Sequence, residues 1–319
     1  MAAGPEDART PGFLTRRRGG GGATLDACPG PHLKLSPHHP EEVSTTHPFT
    51  DTGLVVRTYE LGEADRIVTL LTQRHGLVRA VARAVRRTRS RMGTSLESFA
   101  VVEVQIAPGR GRSGLGTIRQ AASRESLARP IVADYPAYTA GCVVLETAER
   151  LAGEEGAPAP RLLALTVGAC RSLAEGRRDP SLVVDAFLLR ALAASGWEPV
   201  LDCCVRCGVV GPHRAFHVPS GGSVCVHCRP PGCATLSPGV VEHMQALLAG
   251  DWAGVARSSP AVTRQASGLA AAYLQWHLER DLRSLPLVDR GAPGEPAPDD
   301  RTSRNDRSEG SRAGTAQVS

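Results

Sequence analysis

The chain has 319 residues, of which 41% are hydrophobic and 4% aromatic, and its formal net charge is +5. This length and apolar content suit two globular domains whose cores consist mostly of Leu, Val and Ala. A membrane-spanning protein is disfavoured, because the sequence has no run of about 18 apolar residues that could span a bilayer. An exported protein is also disfavoured, because Gly19 to Gly22 follow Arg16 to Arg18 where an export signal needs apolar residues. We therefore expect a cytoplasmic protein.

Both ends of the chain are expected to be disordered. Residues 1–49 are rich in Gly, Pro, His and Arg without apolar periodicity, and residues 287–319 have the same character. Residues 1–49 are either a true extension or the product of a start placed too far upstream. The folded part is expected to span residues 50–286.

Residues 50–125 predict a small β-barrel. Five runs rich in β-branched residues are separated by Gly or charged turns, at intervals that suit an antiparallel barrel of the OB type. The five runs are Gly53 to Tyr59, Arg66 to Thr72, Gly76 to Val81, Phe99 to Ile106 and Leu115 to Arg119.

Positive charge is concentrated in the same region. Residues 51–125 contain 13 Arg against 7 Asp and Glu, whereas residues 126–200 contain 7 Arg against 9 Asp and Glu. The first region therefore suggests a polyanionic partner, with nucleic acid favoured over a membrane surface. The densest part supplies the residues that we assign to DNA contact: Arg79, Arg83, Arg86, Arg87, Arg89 and Arg91. Their spacing fits a face of a helix or of a strand, and a solvated basic loop is the alternative to a phosphate site.

Residues 126–286 predict an all-α domain. Runs rich in Ala, Leu and Val have helical spacing, and Pro at the first helical position after Asp179, Ser237 and Ser259 marks three helix starts. The predicted helices are 136–152, 159–175, 180–195, one from Ser237 to about Ala249 and one from Ser259 to about Leu285.

A zinc ribbon is predicted as an insertion in this helical domain, at about residues 201–233. Two C-x2-C pairs, Cys204 with Cys207 and Cys225 with Cys228, are separated by 17 residues that contain turn glycines and short alternating runs. Four thiolates leave no open coordination position, so one Zn²⁺ is expected to be structural. Histidines 213, 217 and 227 are alternative ligands, but four cysteines are the simpler solution.

Catalytic motifs are absent from the sequence. There is no phosphate-cradling G-x-x-x-x-G-K-[ST] loop, no H-E-x-x-H and no nucleophile elbow. Gly109 to Gly114 matches G-x-G-x-x-G literally, but neither a helix pattern nor a βαβ unit follows, so a hairpin turn is expected there. The chain is therefore not expected to be an enzyme.

The order of these parts resembles a known family. Residues 62–72, His75-Gly76, Leu96 to Phe99 and Gly114 to Ile118 are similar to the N-terminal OB domain of the bacterial DNA repair protein RecO. Gly196-Trp197 before the first cysteine pair, and the segment from Gly211 to Cys225, resemble the zinc-bearing, actinobacterial-type members of that family.

This resemblance implies a recombination mediator associated with the nucleoid. Family members bind single- and double-stranded DNA, anneal complementary strands, act with RecR, contact the tail of single-strand-binding protein, and help RecA onto coated single strands. It also favours a strand over a helix for residues 76–84. The alternative is a zinc-ribbon transcription or RNA-binding factor, which is disfavoured because the predicted helices lack a polar recognition face.

Overall fold

A computed structural model of the chain describes residues 47–86, 90–109, 115–153, 155–278 and 282–289. A closed five-stranded barrel is followed by a helical region, into which a small three-stranded ribbon is inserted. This arrangement confirms the predicted α+β fold with an OB-like barrel. None of the helices in these ranges combines the length and the apolar character that a membrane crossing requires.

The barrel is closed by a pairing that the strand pattern does not reveal. Its strands lie in the order β1-β2-β3-β5-β4, and every neighbouring pair is antiparallel except β3 and β5, which are parallel. A short helix, α1 (Arg91–Ser95), lies between β3 and β4. The strands are β1 (Phe49–Leu61), β2 (Asp65–Thr72), β3 (Gly76–Ala82), β4 (Ala100–Ala107) and β5 (Gly116–Ser126).

Alternation along the strands gives the barrel an apolar inside and a partly apolar outside. Val55, Val68 and Leu70 belong to the interior cluster, whereas Leu54 and Leu71, one residue away, belong to the core of the helical region. Successive strand residues point to opposite faces, so one side of the barrel wall is buried against helices. The barrel and the helical region therefore share one hydrophobic core.

The helical region begins at residue 128. Asp134 and Asp179 cap α3 and α5, accepting hydrogen bonds from the backbone N–H groups of Ala137 and Ser181. The helices are α2 (Ala128–Ala133), α3 (Tyr135–Leu151), α4 (Pro160–Glu175), α5 (Pro180–Ala194), α6 (Val240–Ala249), α7 (Trp252–Ala256) and α8 (Pro260–Leu278).

The segment 282–289 packs back onto α3. Leu285 lies in a 3₁₀ turn, Leu285–Leu287, and Val288 is buried in the shared core, two residues beyond the expected end of the folded part. The Glu146 carboxylate anchors the segment, because it accepts hydrogen bonds from the backbone N–H groups of Arg283 and Ser284 at 3.0 and 2.9 Å. Leu285 was expected at the end of the last helix, whereas α8 is described only to Leu278.

The start of β3 contacts the loop between α3 and α4. The carbonyl of Leu77 accepts a hydrogen bond from the N–H of Gly156 at 3.2 Å. Gly76 has φ +59°, and a Cβ at this position would lie 1.8 Å from the carbonyl oxygen of Ala157. Only glycine fits here, so β3 enters the barrel at a position fixed by the helical region.

Candidate nucleic-acid interface and metal centre

The ribbon brings the four predicted cysteines together. Their Sγ atoms all lie within 4.8 Å of one another, and those of Cys207 and Cys225 are 3.7 Å apart. A tetrahedral Zn²⁺ with Zn–S bonds of about 2.3 Å separates its sulfur ligands by about 3.8 Å. The four side chains therefore fit one zinc ion with no further ligand.

Backbone hydrogen bonds shape the turn that carries the first cysteine pair. The N–H of Gly208 donates to the carbonyl of Cys204, and the N–H of Cys204 donates to that of Val209, both at 2.8 Å. Gly208 adopts φ +74°, which glycine tolerates without strain. Three short strands, β6 (Ala215–His217), β7 (Gly222–Ser223) and β8 (Ala234–Thr235), support the two turns in the order β7-β6-β8.

Shared hydrogen bonds shift the pKa values of Cys204 and Cys228 in opposite directions. Burial opposes ionisation of Cys204, but backbone N–H groups of Cys225, Cys207 and Arg206 outweigh it and lower its pKa to about 6. Side-chain hydrogen bonding with Cys207 and Cys225 raises the pKa of Cys228 to about 12. Such a cluster resists holding four negative charges alone, and a divalent cation would remove that repulsion.

Two of the alternative histidine ligands have other partners. The Nε2 atom of His213 lies 2.8 Å from the carbonyl oxygen of Val209, and the Nδ1 atom of His217 lies 2.7 Å from Ser220 Oγ. Within the described ranges, the four cysteines form the group that has metal-ligand geometry.

The basic segment begins as a strand and continues as a turn. Arg79 is exposed on the outer side of β3, opposite Thr69 of β2, and its Nε lies 3.7 Å from Glu155 Oε1. Arg83 is exposed in the turn that follows. The structure therefore places both predicted contact residues on the barrel surface, with Arg79 next to the helical region.

Arg86 is held by the β1–β2 turn. Its guanidinium donates to the carbonyls of Gly62 and Glu63 at 3.1 and 3.3 Å and lies 2.9 Å from Glu60 Oε1. These contacts occupy donors that a phosphate would need. Arg87 and Arg89 lie outside the described residues, and Arg91 is the first residue of α1.

Three further residues join this face, of which Arg57 and Tyr59 were not assigned from the sequence. Arg57 and Tyr59 lie near the end of β1, and the exposed Arg119 lies on β5, beside β3. Arg57 donates a hydrogen bond to Tyr59 Oη at 2.9 Å and pairs with Glu149 of α3 at 2.6 Å. An aromatic residue at the solvent end of a strand, two positions after an arginine, was the available signal.

Comparison with known protein families covers both structural parts. Residues 47–127 match the family described as recombination protein O N terminal, and residues 132–286 match recombination protein O C terminal. The first range contains the barrel strands, and the second contains helices α3 to α8 and the four cysteines. The chain therefore belongs to the recombination protein O family, which acts in DNA recombination and repair.

Proposed function

We propose that the protein is a recombination mediator that binds DNA through the outer face of its barrel, anneals complementary strands, and acts with RecR to promote RecA loading on strands coated by single-strand-binding protein. The observation that carries this proposal is the match of both halves of the fold to recombination protein O. The DNA contact surface is proposed from the exposed arginines of the barrel, and the proteins named are the partners of the family that the chain resembles.

Phosphate neutralisation provides the binding energy in this proposal. Arg79, Arg83 and Arg119 are exposed on neighbouring strands or the turn after them, where guanidinium groups can donate paired hydrogen bonds to phosphate oxygens. Contacts to the backbone carry no base information, so binding is largely indifferent to sequence. This suits a protein that must act on any pair of complementary strands.

The zinc ion would have a structural role. Bound by Cys204, Cys207, Cys225 and Cys228, it would cross-link the two turns of the ribbon and leave no position for substrate. The protein's own residues then perform the function by binding and orienting DNA. Annealing is accordingly expected to need neither ATP nor added Mg²⁺. The protein would act in the cytoplasm, at the nucleoid.

Salt dependence tests the proposed DNA surface. The triple variant Arg79→Ala, Arg83→Ala, Arg119→Ala removes up to three phosphate contacts, so the slope of log K against log salt for single-stranded DNA should flatten by up to about 2. Annealing should slow in parallel. A matched control replaces the exposed Arg177, Arg257 and Arg264 of the helical region, which changes the net charge equally.

The control variant separates a specific surface from the overall charge. We expect it to retain the salt slope and the annealing rate of the parent protein. If both triple variants lose affinity equally, or if the barrel variant keeps the parent's slope, the barrel face is not the DNA site.

A further inference from the structure

A half-exposed row of side chains crosses the outer face of the barrel. The strand register aligns Tyr59 with Ile67, Ile67 with Val81, and Val81 with Thr117. Tyr59 is 46% exposed, and the other three are only partly buried. We call these four residues the Tyr59 row.

Arginines lie on both sides of the Tyr59 row. Toward the helical region, the register places Arg57 and Arg79 on either side of the buried Thr69. On the other side, Arg83 in the turn after β3 and Arg119 at a register shift of β5 each come two positions after a residue of the row, and both are exposed. The Tyr59 row is therefore a largely apolar strip with arginines on both sides, of which Arg57 and Arg79 pair with Glu149 and Glu155.

The Tyr59 side chain is held in place without a ligand. The Arg57 guanidinium donates to Tyr59 Oη at 2.9 Å, lies 5.8 Å from the centre of the ring, and pairs with Glu149 Oε2 at 2.6 Å. Glu149 belongs to α3, so the helical region fixes Arg57 and, through it, the tyrosine. A ring ordered in advance loses little conformational entropy when a flat group stacks on it.

We propose that the Tyr59 row is a base-stacking strip, on which Tyr59 stacks against an unpaired base of single-stranded DNA while Arg79, Arg83 and Arg119 hold the flanking phosphates. This inference rests on the proposed function and deepens it by naming the preferred ligand: a strand whose base faces are accessible. Glu149 is a positioning residue, since it acts through Arg57.

Charge and shape together favour this occupant over a protein segment. A single strand combines flat apolar bases with a regularly charged backbone, which matches an apolar strip between arginine borders. A duplex presents the same phosphates but keeps its base faces within the stack. The arginines therefore attract both forms of DNA, and the Tyr59 row distinguishes between them.

The test compares Tyr59→Ala with Tyr59→Trp on three ligands of equal length: a single-stranded oligothymidine, its abasic counterpart, and a duplex. Tyr59→Ala should weaken binding to the oligothymidine roughly 5- to 100-fold, the range for losing one stacked base. Affinity for the abasic strand and the duplex should stay unchanged, because their contacts are phosphates. Tyr59→Trp should restore single-strand binding, and Tyr135→Ala, which removes a 70% exposed tyrosine from the start of α3, should have no effect.

Glu149→Gln supplies a second, independent readout. Losing a negative charge near the site should raise affinity for the abasic strand slightly, whereas freeing Arg57 and Tyr59 should lower the preference for bases over abasic DNA. If Glu149 had only a structural role, the substitution would change the affinities for the oligothymidine and for the abasic strand in the same direction.

Two outcomes would overturn the inference without touching the proposed function. One is a Tyr59→Ala protein that binds oligothymidine as the parent does. The other is equal weakening on the oligothymidine, abasic and duplex ligands. The barrel arginine triple variant distinguishes failure of this inference from failure of the proposed function. Its salt slope reports on the DNA surface independently of the results for the Tyr59 variants.

Discussion

The arginines of the basic segment make different contacts in the structure, although their sequence contexts are similar. All three of Arg79, Arg83 and Arg86 are exposed, but the Arg86 guanidinium donates hydrogen bonds to the β1–β2 turn, whereas Arg79 makes a 3.7 Å ion pair with Glu155. The sequence located the positive field, because charge density is a local property. It did not identify which guanidinium group binds the turn, since the carbonyls of Gly62 and Glu63 approach Arg86 only after folding.

The cysteines could be predicted more completely than the arginines. A C-x2-C spacing specifies a turn by itself, so two pairs already define a tetrahedron once they meet. Phosphate contacts have no such internal geometry. The position of Tyr59 likewise could not be predicted, because it depends on contacts with Arg57 and, through Arg57, with Glu149 of the helical region.

Replacing Cys204 by Ser is expected to abolish stoichiometric zinc and lower Tm. The free energy of zinc binding contributes to folding, and Tm falls by roughly 2–4 °C for each kcal/mol lost in a protein of this size. Elemental analysis and thermal denaturation measure the two effects. Cys142→Ser on α3 is the matched control, and full zinc content in the Cys204→Ser protein would contradict the four-cysteine assignment.

At the scale of elements, strands and helices follow from local patterns but their long-range pairings do not. The alternation within β3 and β5 predicts two strands of a barrel, yet their parallel pairing closes a loop of more than 30 residues that no local signal marks. The segment 282–289 is similar. It has too few apolar residues for a sequence pattern to predict where it packs. The Glu146 carboxylate on α3 supplies the hydrogen-bond acceptors that hold it in place.

Acid should loosen this C-terminal segment. Burial raises the pKa of Glu146, but hydrogen bonds from Ser284 and from the backbone of Arg283, with the nearby charge of Arg150, outweigh it and hold the pKa below its usual value. A lowered pKa in the folded state gives stability that is present above the unfolded-state pKa near 4.5 and is lost as pH falls through the folded value.

The Glu146→Gln variant tests this acid dependence. Its amide keeps one accepting oxygen and replaces the other with an NH2 group that cannot accept, so the variant should lose about 1–3 kcal/mol of unfolding free energy at pH 7. Between pH 5 and 3, the stability of the variant should also fall less steeply than that of the parent protein. Urea denaturation across this pH range measures both effects. A variant with the parent's stability at pH 7 would show that the carboxylate does not anchor the segment.

At the scale of the whole molecule, the described parts of the barrel and the helical region share a buried cluster. Leu54, Val56, Leu71 and Leu77 of the barrel lie in the same buried cluster as residues of α3, α4 and α5. We expect a chain of residues 47–289 to retain zinc, annealing and a single cooperative unfolding transition. Calorimetry and an annealing assay check this. Two separated transitions, or loss of annealing, would show that the halves are independent or that residues outside this range are required.

A shared core also constrains the protein during its synthesis. The barrel strands leave the ribosome first, with Leu54, Val56, Leu71 and Leu77 exposed until α3 to α5 arrive to cover them. At ~5 to 20 residues per second, the chain between Ser126 and Ala194 takes roughly 3 to 14 s to make. During that interval the nascent barrel has an exposed apolar outer surface. Chaperones that recognise such surfaces are expected to bind it until the helices emerge.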